Sequence, residues 1–438
     1  MTYAVDGVKR TGLWKNNTYI GIERRNNIFK GGESLNMKND VIILGGGISG
    51  LYLGIELLKQ NRKVLLLEKN SRLGGRIYTI KYENHTLESG AGRFSECHQM
   101  LFNLLKRYKL FDKKYPITKY ADVLVSNKKN YSTNVEDYYK LIFSKSKNYK
   151  NSYLANKYTY EILEEILGSK ELVKHFVSIY GYTGDVMYSN AICGLNILSC
   201  DYYSEQFYVL IGGLTQLVDK MKDEFIQLGG KIQLDMQVEN IYQSSDSSYL
   251  LEAKGNKYTC NQLVLAITPK AIEKLKPRSV SFDFLKFVQP VPLLRIYFYY
   301  DKKNAALSNL KKLITDLDIH YIIPINQNSI MISYTDSKLA DFWNSLYKEN
   351  KDLFYKKILS EFTACTGVKL GIPDKVFMEY WSEGMYVWTP GFNYVENYDN
   401  VINPMENLFI SNEGISKKQG WIEGALLVAN DVLEKMKK

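Results

Sequence analysis

The residues with most chemistry in them lie between positions 41 and 76, VIILGGGISGLYLGIELLKQNRKVLLLEKNSRLGGR. Gly45, Gly47 and Gly50 keep the G-x-G-x-x-G spacing, after the apolar run 41–44 and before Ile48, Leu51, Tyr52, Ile55 and Leu58 at helical intervals. The first glycine permits a tight turn, the second lets a pyrophosphate approach the backbone, and the third lets strand and helix pack closely. The free N–H groups of Ile48, Ser49 and Gly50 and the helix dipole then face an anion. A second apolar run, 64–67, ends in Glu68 and Lys69. Glu68 stands roughly 20 residues beyond the glycines, where a dinucleotide site uses a carboxylate for ribose hydroxyls. An acid there favours FAD or NAD over NADP.

These motifs need a strand, a turn, a helix and a second parallel strand in that order, which is a Rossmann-like unit. The continuation Arg72-Leu73-Gly74-Gly75-Arg76 narrows the reading. A glycine fingerprint, an acid closing the second strand and an R-x-G-G-R segment resemble the flavin-containing amine oxidase family, which includes monoamine, polyamine and L-amino acid oxidases. The resemblance implies FAD, with Gly74, Gly75 and Arg76 at its phosphates. It further implies that Gly90, Ala91, Gly92 and Arg93 of Ser89–Arg93 pass the flavin ring, and that the Val238 backbone meets the adenine.

Two late segments carry the same likeness. Trp381-Ser382-Glu383-Gly384-Met385-Tyr386 matches the family segment in which an aromatic residue walls the substrate site, and 408–425, LFISNEGISKKQGWIEGA, matches its F-A-G-x-E to G-x-x-E-G-A signature. By resemblance Trp381, Glu413, Gly420, Trp421 and Ile422 belong to the cofactor site, and Tyr386 and Trp421 form an aromatic cage over the flavin. Met385 stands where monoamine oxidases carry a flavin-bonded cysteine, so FAD is expected to be non-covalent. Arg295 occupies the strand position where the family places a lysine. Arginine stays protonated and donates in a fixed fork, so it cannot act as a base.

The fold expected is α/β: a Rossmann-like FAD-binding domain of the GR2 type with an interleaved α+β substrate domain. Residues 39–115, 204–285 and 376–438 are assigned to the first, 116–203, a helical and tyrosine-rich stretch in which Tyr180 and Tyr182 could line the cavity, and 286–375 to the second. Residues 1–38 are polar, without sustained periodicity, and read as a loosely ordered extension.

Hydrophobic residues at 45% and charged residues at 24% fit an ordinary globular chain. The net charge of +10 comes without a basic stripe or reading motif, which argues against nucleic acid. Five cysteines without a C-x-x-C pair suit a reducing compartment. No apolar run approaches the roughly 18 residues that span a bilayer, and the chain ends after an amphipathic helix; a cytoplasmic protein without a membrane anchor is expected. No metal-ligand or Ser-His-Asp constellation is visible; His85, His98, His175 and His320 are scattered. The function expected is FAD-dependent amine oxidation: hydride transfer to flavin N5, imine hydrolysis and reoxidation by O2, with Arg295, Tyr386 and Trp421 around the reacting amine. A homodimer stays open, as do an FAD-dependent desaturase, isomerase or mutase on the same scaffold and a non-catalytic flavin-binding protein.

Overall fold

The computed structural model describes residues 39–124, 132–275 and 282–437, together with the backbone of four short strands within residues 2–19. In that early stretch Thr2–Val5 pairs with Val8–Thr11, and Trp14–Lys15 with Thr18–Tyr19. The looseness expected of residues 1–38 otherwise lies outside the described residues.

Two sheets organise the chain. The larger runs in the order Lys231–Gln233, Val64–Leu67, Asn39–Leu44, Asn256–Leu265, Tyr249–Ala253, Val238–Gln243, with Leu408–Ile410 alongside Asn256–Leu265. Its centre is parallel: Val41–Leu44 pairs with Val64–Leu67 on one side and with Gln262–Leu265 on the other. Strands covered on both faces must be apolar throughout, which is why these stretches read as unbroken hydrophobic runs. The helix Ile48–Lys59 packs with Thr215–Gln227 and Ile422–Met436. Its Leu51, Leu53, Ile55 and Leu57 are buried, each contributing about 1.5–3 kcal/mol.

The second sheet runs Asp122–Leu124, Leu313–Thr315, Tyr321–Pro324, Ser329–Asp336, Val288–Tyr299, Lys375–Trp388. Alternation along Val288–Tyr299 sends Leu294, Ile296 and Phe298 into a core with Trp343, Phe354 and Ile358 from the helices Ser337–Glu349 and Lys351–Thr366. The intervening Arg295 and Tyr297 meet Glu88 at the edge of the first unit. Helices from Val135–Ser146 to Ala191–Tyr203 fill the expected helical stretch. Lys375–Trp388 pairs along its length with Val288–Tyr299. The strand therefore sits in the second sheet, and the chain rejoins the first sheet only at Leu408, later than the boundary at 376 expected from sequence.

Candidate functional site

The glycine turn, the R-x-G-G-R segment and the last signature meet at one place. Gly74 N donates to Gly46 O (2.8 Å), and Gly47 and Gly74 form a parallel bridge. Ser49 Oγ lies 2.7 Å from Ser411 O, tying the first helix to the strand that precedes Glu413. Ser49 thus spends its hydroxyl on protein and has only its N–H for a ligand. Arg76 Nη1 donates to Glu413 Oε2 (2.8 Å) and to Gly384 O (3.1 Å), while Glu413 Oε1 accepts from Gly420 N. Residues 76, 384, 413 and 420 are thereby joined in one hydrogen-bonded knot.

The residues fit a dinucleotide. A Cβ built on Gly47 would meet nothing, and one on Gly75 only the Gly47 Cα at 3.6 Å, so open space borders both backbones. The helix Ile48–Lys59 has no side-chain cap and no acid in its first turn, leaving its N–H groups for an anion. Glu68 is buried and accepts from Gly46 N (2.8 Å) and from Asn70 N and Nδ2 (2.9 and 2.7 Å). These bonds orient the carboxylate, and its remaining lone pairs can take hydroxyl donors. Met236 N donates to Glu68 O (2.8 Å), which brings the buried Val238 alongside; Lys69 is exposed. The helix Ile422–Met436, which follows the last signature, also starts without a side-chain cap, with Trp421 at its cap position. Glu423, buried in its first turn, accepts from Met100 N and Leu101 N and so caps the helix Gln99–Arg107.

Residues 88–93 are pinned from several sides. Arg295 Nη1 (2.9 Å) and the Tyr297 hydroxyl (2.7 Å) both donate to Glu88 O, and Trp381 Nε1 donates to Ser89 O (3.0 Å). Ser89 Oγ donates to Glu379, and Ala91 N to Arg76 O (3.0 Å). At Gly90 a Cβ would stand 1.9 Å from Arg76 O, so only glycine lets the loop lie against the R-x-G-G-R segment. Beneath it burial pushes the Glu88 carboxyl above the usual range, opposed by donors Leu214 N and Thr79 and by Arg295. Arg295 also lies over the Tyr334 ring, 4.8 Å from its centroid. It acts here as a fixed brace for the loop.

Arg93 opens onto a cavity of roughly 600 Å³, mouth included, lined also by Asp201, Phe207, Tyr180, Tyr182 and Tyr321. Its guanidinium donates to Asp201 Oδ1 (3.2 Å) and lies 4.6 Å from the Phe207 centroid and 5.2 Å from that of Trp421. Trp421 stacks on Phe207 (6.0 Å, 17°) and tilts against His98. Its buried Nε1 has no hydrogen-bond partner among the described residues. Burial, with Lys418 and Arg93 nearby, holds His98 down to about 3, so it is neutral; Nδ1 accepts from Ser95 N and Nε2–H therefore faces Cys200 Sγ. Tyr386, expected opposite Trp421, is fully buried; its hydroxyl donates to Glu383 and accepts from Lys270 N, and no ring contact joins it to Trp421 among the described residues. Met385, its neighbour on the strand, points toward Gly420 instead: a Cβ there would lie 3.4 Å from Met385 Cε. Sequence alone assigns no site role to Asp201, Phe207, Glu88 or Asp185, since contacts made across the fold leave no local periodicity. Only the phase of Asp201 on an apolar helix, where it is buried, hinted at a role.

The comparisons agree with this geometry. The family profile described as Flavin containing amine oxidoreductase matches residues 48–433. An L-amino-acid oxidase of Notechis scutatus scutatus is 22% identical over 469 residues, covering 91% of this chain and 87% of that protein. An uncharacterized protein of Acanthamoeba polyphaga mimivirus is 21% identical, covering 90% and 93%. Among solved structures, cyclohexylamine oxidase from Brevibacterium oxydans superposes with a TM-score of 0.74 at 16% identity, covering 92% of this chain and 100% of that one. Putrescine oxidase bound to putrescine gives 0.72 at 14%, covering 92% and 99%. With the glycine turn joined to the R-x-G-G-R segment and Arg76 joined to Glu413, and with the family profile matching residues 48–433, this chain belongs to the flavin-containing amine oxidoreductase family, an FAD-dependent group acting on CH–NH bonds.

Proposed function

We propose that this protein is an FAD-dependent oxidase of amino acids that holds its FAD non-covalently. The observation that carries the reading is the Arg93–Asp201 pair at the cavity wall. It offers one cation and one anion, complementary to a zwitterion: Arg93 suits the carboxylate and Asp201 the ammonium, each through charge-assisted bonds of about 1.5–3 kcal/mol. A polyamine would need more carboxylates, and Asp201 is shared with Arg93. The likeness to L-amino-acid oxidases supports the same choice.

The backbones of Gly45, Gly47, Ile48, Ser49, Gly50, Gly74 and Gly75 would hold the FAD phosphates, Glu68 the ribose, and Val238 the adenine; Arg76, Glu413, Gly420, Trp421 and Ile422 would hold the flavin end. When bound, FAD would supply the hydride acceptor, and its reoxidation by O2 would yield H2O2. Around it the protein would orient and desolvate: Arg93 fixes the carboxylate, Phe207 and Trp421 exclude water, and Asp201 holds the amine nitrogen in place. The imine product then hydrolyses in water. Arg295 favours a second reading, an FAD enzyme that does not use oxygen, since its guanidinium stays protonated and its bond to Glu88 O braces the loop 88–93.

FAD-loaded protein offered amino acids, monoamines and polyamines in air tests this. Peroxide released with amino acids, and little with the other two, is expected. Polyamine turnover above that of amino acids would overturn the substrate class, and flavin reduced by amino acids without peroxide would select the second reading.

A further inference from the structure

A second cation, Lys119, lines the cavity with Arg93, and a third, Lys312, lies beside Tyr321 of the same lining. Lys119 Nζ donates to Tyr202 O (3.3 Å) and lies 4.7 Å from the Tyr120 centroid. Lys312 Nζ donates to Lys119 O (3.1 Å) and Thr118 O (3.4 Å) and lies 5.6 Å from the Tyr321 centroid. Their segments are tied together, because Asp122 N donates to Lys312 O (2.9 Å) where Asp122–Leu124 begins its parallel pairing with Leu313–Thr315. Neither ammonium has a carboxylate at ion-pair distance among the described residues. Burial first, and then the repulsion of Arg93, pushes Lys312 down to about 8, with Asp201 opposing.

The acids nearby do not balance this set. Asp201 is engaged by Arg93, and Glu136 lies near the Tyr120 hydroxyl, whose pKa burial and then this carboxylate raise. Burial pushes Asp185 up to about 8, so it adds little negative charge at neutral pH. Arg93 and Lys119 line the cavity and Lys312 lies close enough to Arg93 and Asp201 to interact with both, so three cations stand against two carboxylates, Asp201 and Glu136, an excess of one positive charge. Of the three cations only Arg93 reaches Trp421. The excess therefore lies with the lysines, beyond the group that would take the substrate's own carboxylate.

We infer that the cavity selects amino acids whose side chain ends in a second carboxylate, of the glutamate and aspartate class, with Lys312 and Lys119 as the residues that set this preference. The inference rests on the amino-acid reading above. A second carboxylate would replace backbone carbonyls and ring faces with charge-assisted bonds, and would restore full charge to a lysine that burial partly discharges. A neutral side chain of the same size would leave both ammonium groups unmatched, and that difference is what specificity requires.

The test compares kcat/KM for L-glutamate and its neutral isostere L-glutamine in the FAD-loaded wild type and in Lys312→Met. The wild type is expected to prefer glutamate by about tenfold or more, and Lys312→Met to lower that ratio by about tenfold. Glutamine oxidised as well as glutamate by the wild type would overturn the inference while leaving amino-acid oxidation intact. A second measurement needs no variant: glutarate and butyrate are titrated into the holoenzyme and followed by the visible spectrum of the flavin. Glutarate binding more tightly, and weakening with salt, supports the assignment; equal binding overturns it. If glutarate binds more tightly but no amino acid reduces the flavin, the oxidase reading fails and the charge assignment stands.

Discussion

Glu413→Ala is expected to lower stability by about 3 kcal/mol. The Glu413 side chain is 7% exposed and joins Arg76 Nη1 at 2.8 Å to Gly420 N. Breaking a fully buried pair from one side costs about 3–5 kcal/mol. The Arg76 side chain is 25% exposed, so water takes up part of the stranded charge and about 2 kcal/mol remains. The orphaned Gly420 N–H adds about 1 kcal/mol. Glu413→Gln keeps an acceptor for that N–H and is expected to lose about 2 kcal/mol. Urea unfolding of the FAD-loaded protein, at a fixed FAD concentration because bound ligand itself stabilises, reads both values. A parallel FAD titration separates weakened folding from weakened cofactor binding. If both variants stay within about 0.5 kcal/mol of wild type, the knot of residues 76, 413 and 420 does not hold these segments together.

Gly90→Ala places a methyl group 1.9 Å from Arg76 O; the loop must move, and the purified variant is expected to carry much less FAD per chain, read from the ratio of flavin to protein absorbance. Asp185, pushed by burial from 3.8 to about 8, binds more protons folded than unfolded. Its stabilisation is complete below the unfolded pKa and is lost as pH rises through the folded one, at up to about 1.4 kcal/mol per pH unit. Asp185→Asn keeps an acceptor for the Tyr180 hydroxyl and is expected to flatten the decline in stability between about pH 6 and pH 8, measured by urea unfolding. His98, depressed to about 3, has the opposite sign, and its contribution is lost only as pH falls below the ordinary histidine value. Arg295→Lys leaves Tyr297 holding Glu88 O and introduces a cation that can titrate; faster reoxidation of reduced flavin by oxygen in stopped flow is expected, and an unchanged rate would remove Arg295 from the oxygen step. Acid precipitation is expected to release all the FAD into the supernatant, whereas flavin retained on the protein would contradict non-covalent binding.

The parts of the site legible in the sequence are those that one contiguous segment specifies. Gly45, Gly47 and Gly50 sit where a strand must turn into a helix, and the strand ending in Glu68 is apolar because it is covered on both faces. The match of 408–425 to a known signature located Glu413, although its partner Arg76 lies 337 residues away. What escaped depends on register. Tyr386 was expected to face Trp421, but the pairing of Val288–Tyr299 with Lys375–Trp388 shifts between Val291 and Leu293. Tyr386 is left buried while Met385 points toward Gly420. Between these pairs one residue of Val288–Tyr299 lies opposite three of Lys375–Trp388, an irregularity that nothing local announces. The charges that define the cavity were illegible for another reason: Arg93, Lys119, Asp201 and Lys312 come from four separated segments, and only the closed fold brings them together.

The most direct measurement is an anaerobic titration of the FAD-loaded protein with an amino acid, following the visible absorbance of the flavin. Bleaching to completion, with one keto acid formed per flavin, is the predicted result. A flavin that stays oxidised with every amino acid, monoamine and polyamine offered would contradict an enclosed FAD facing an amine-binding cavity.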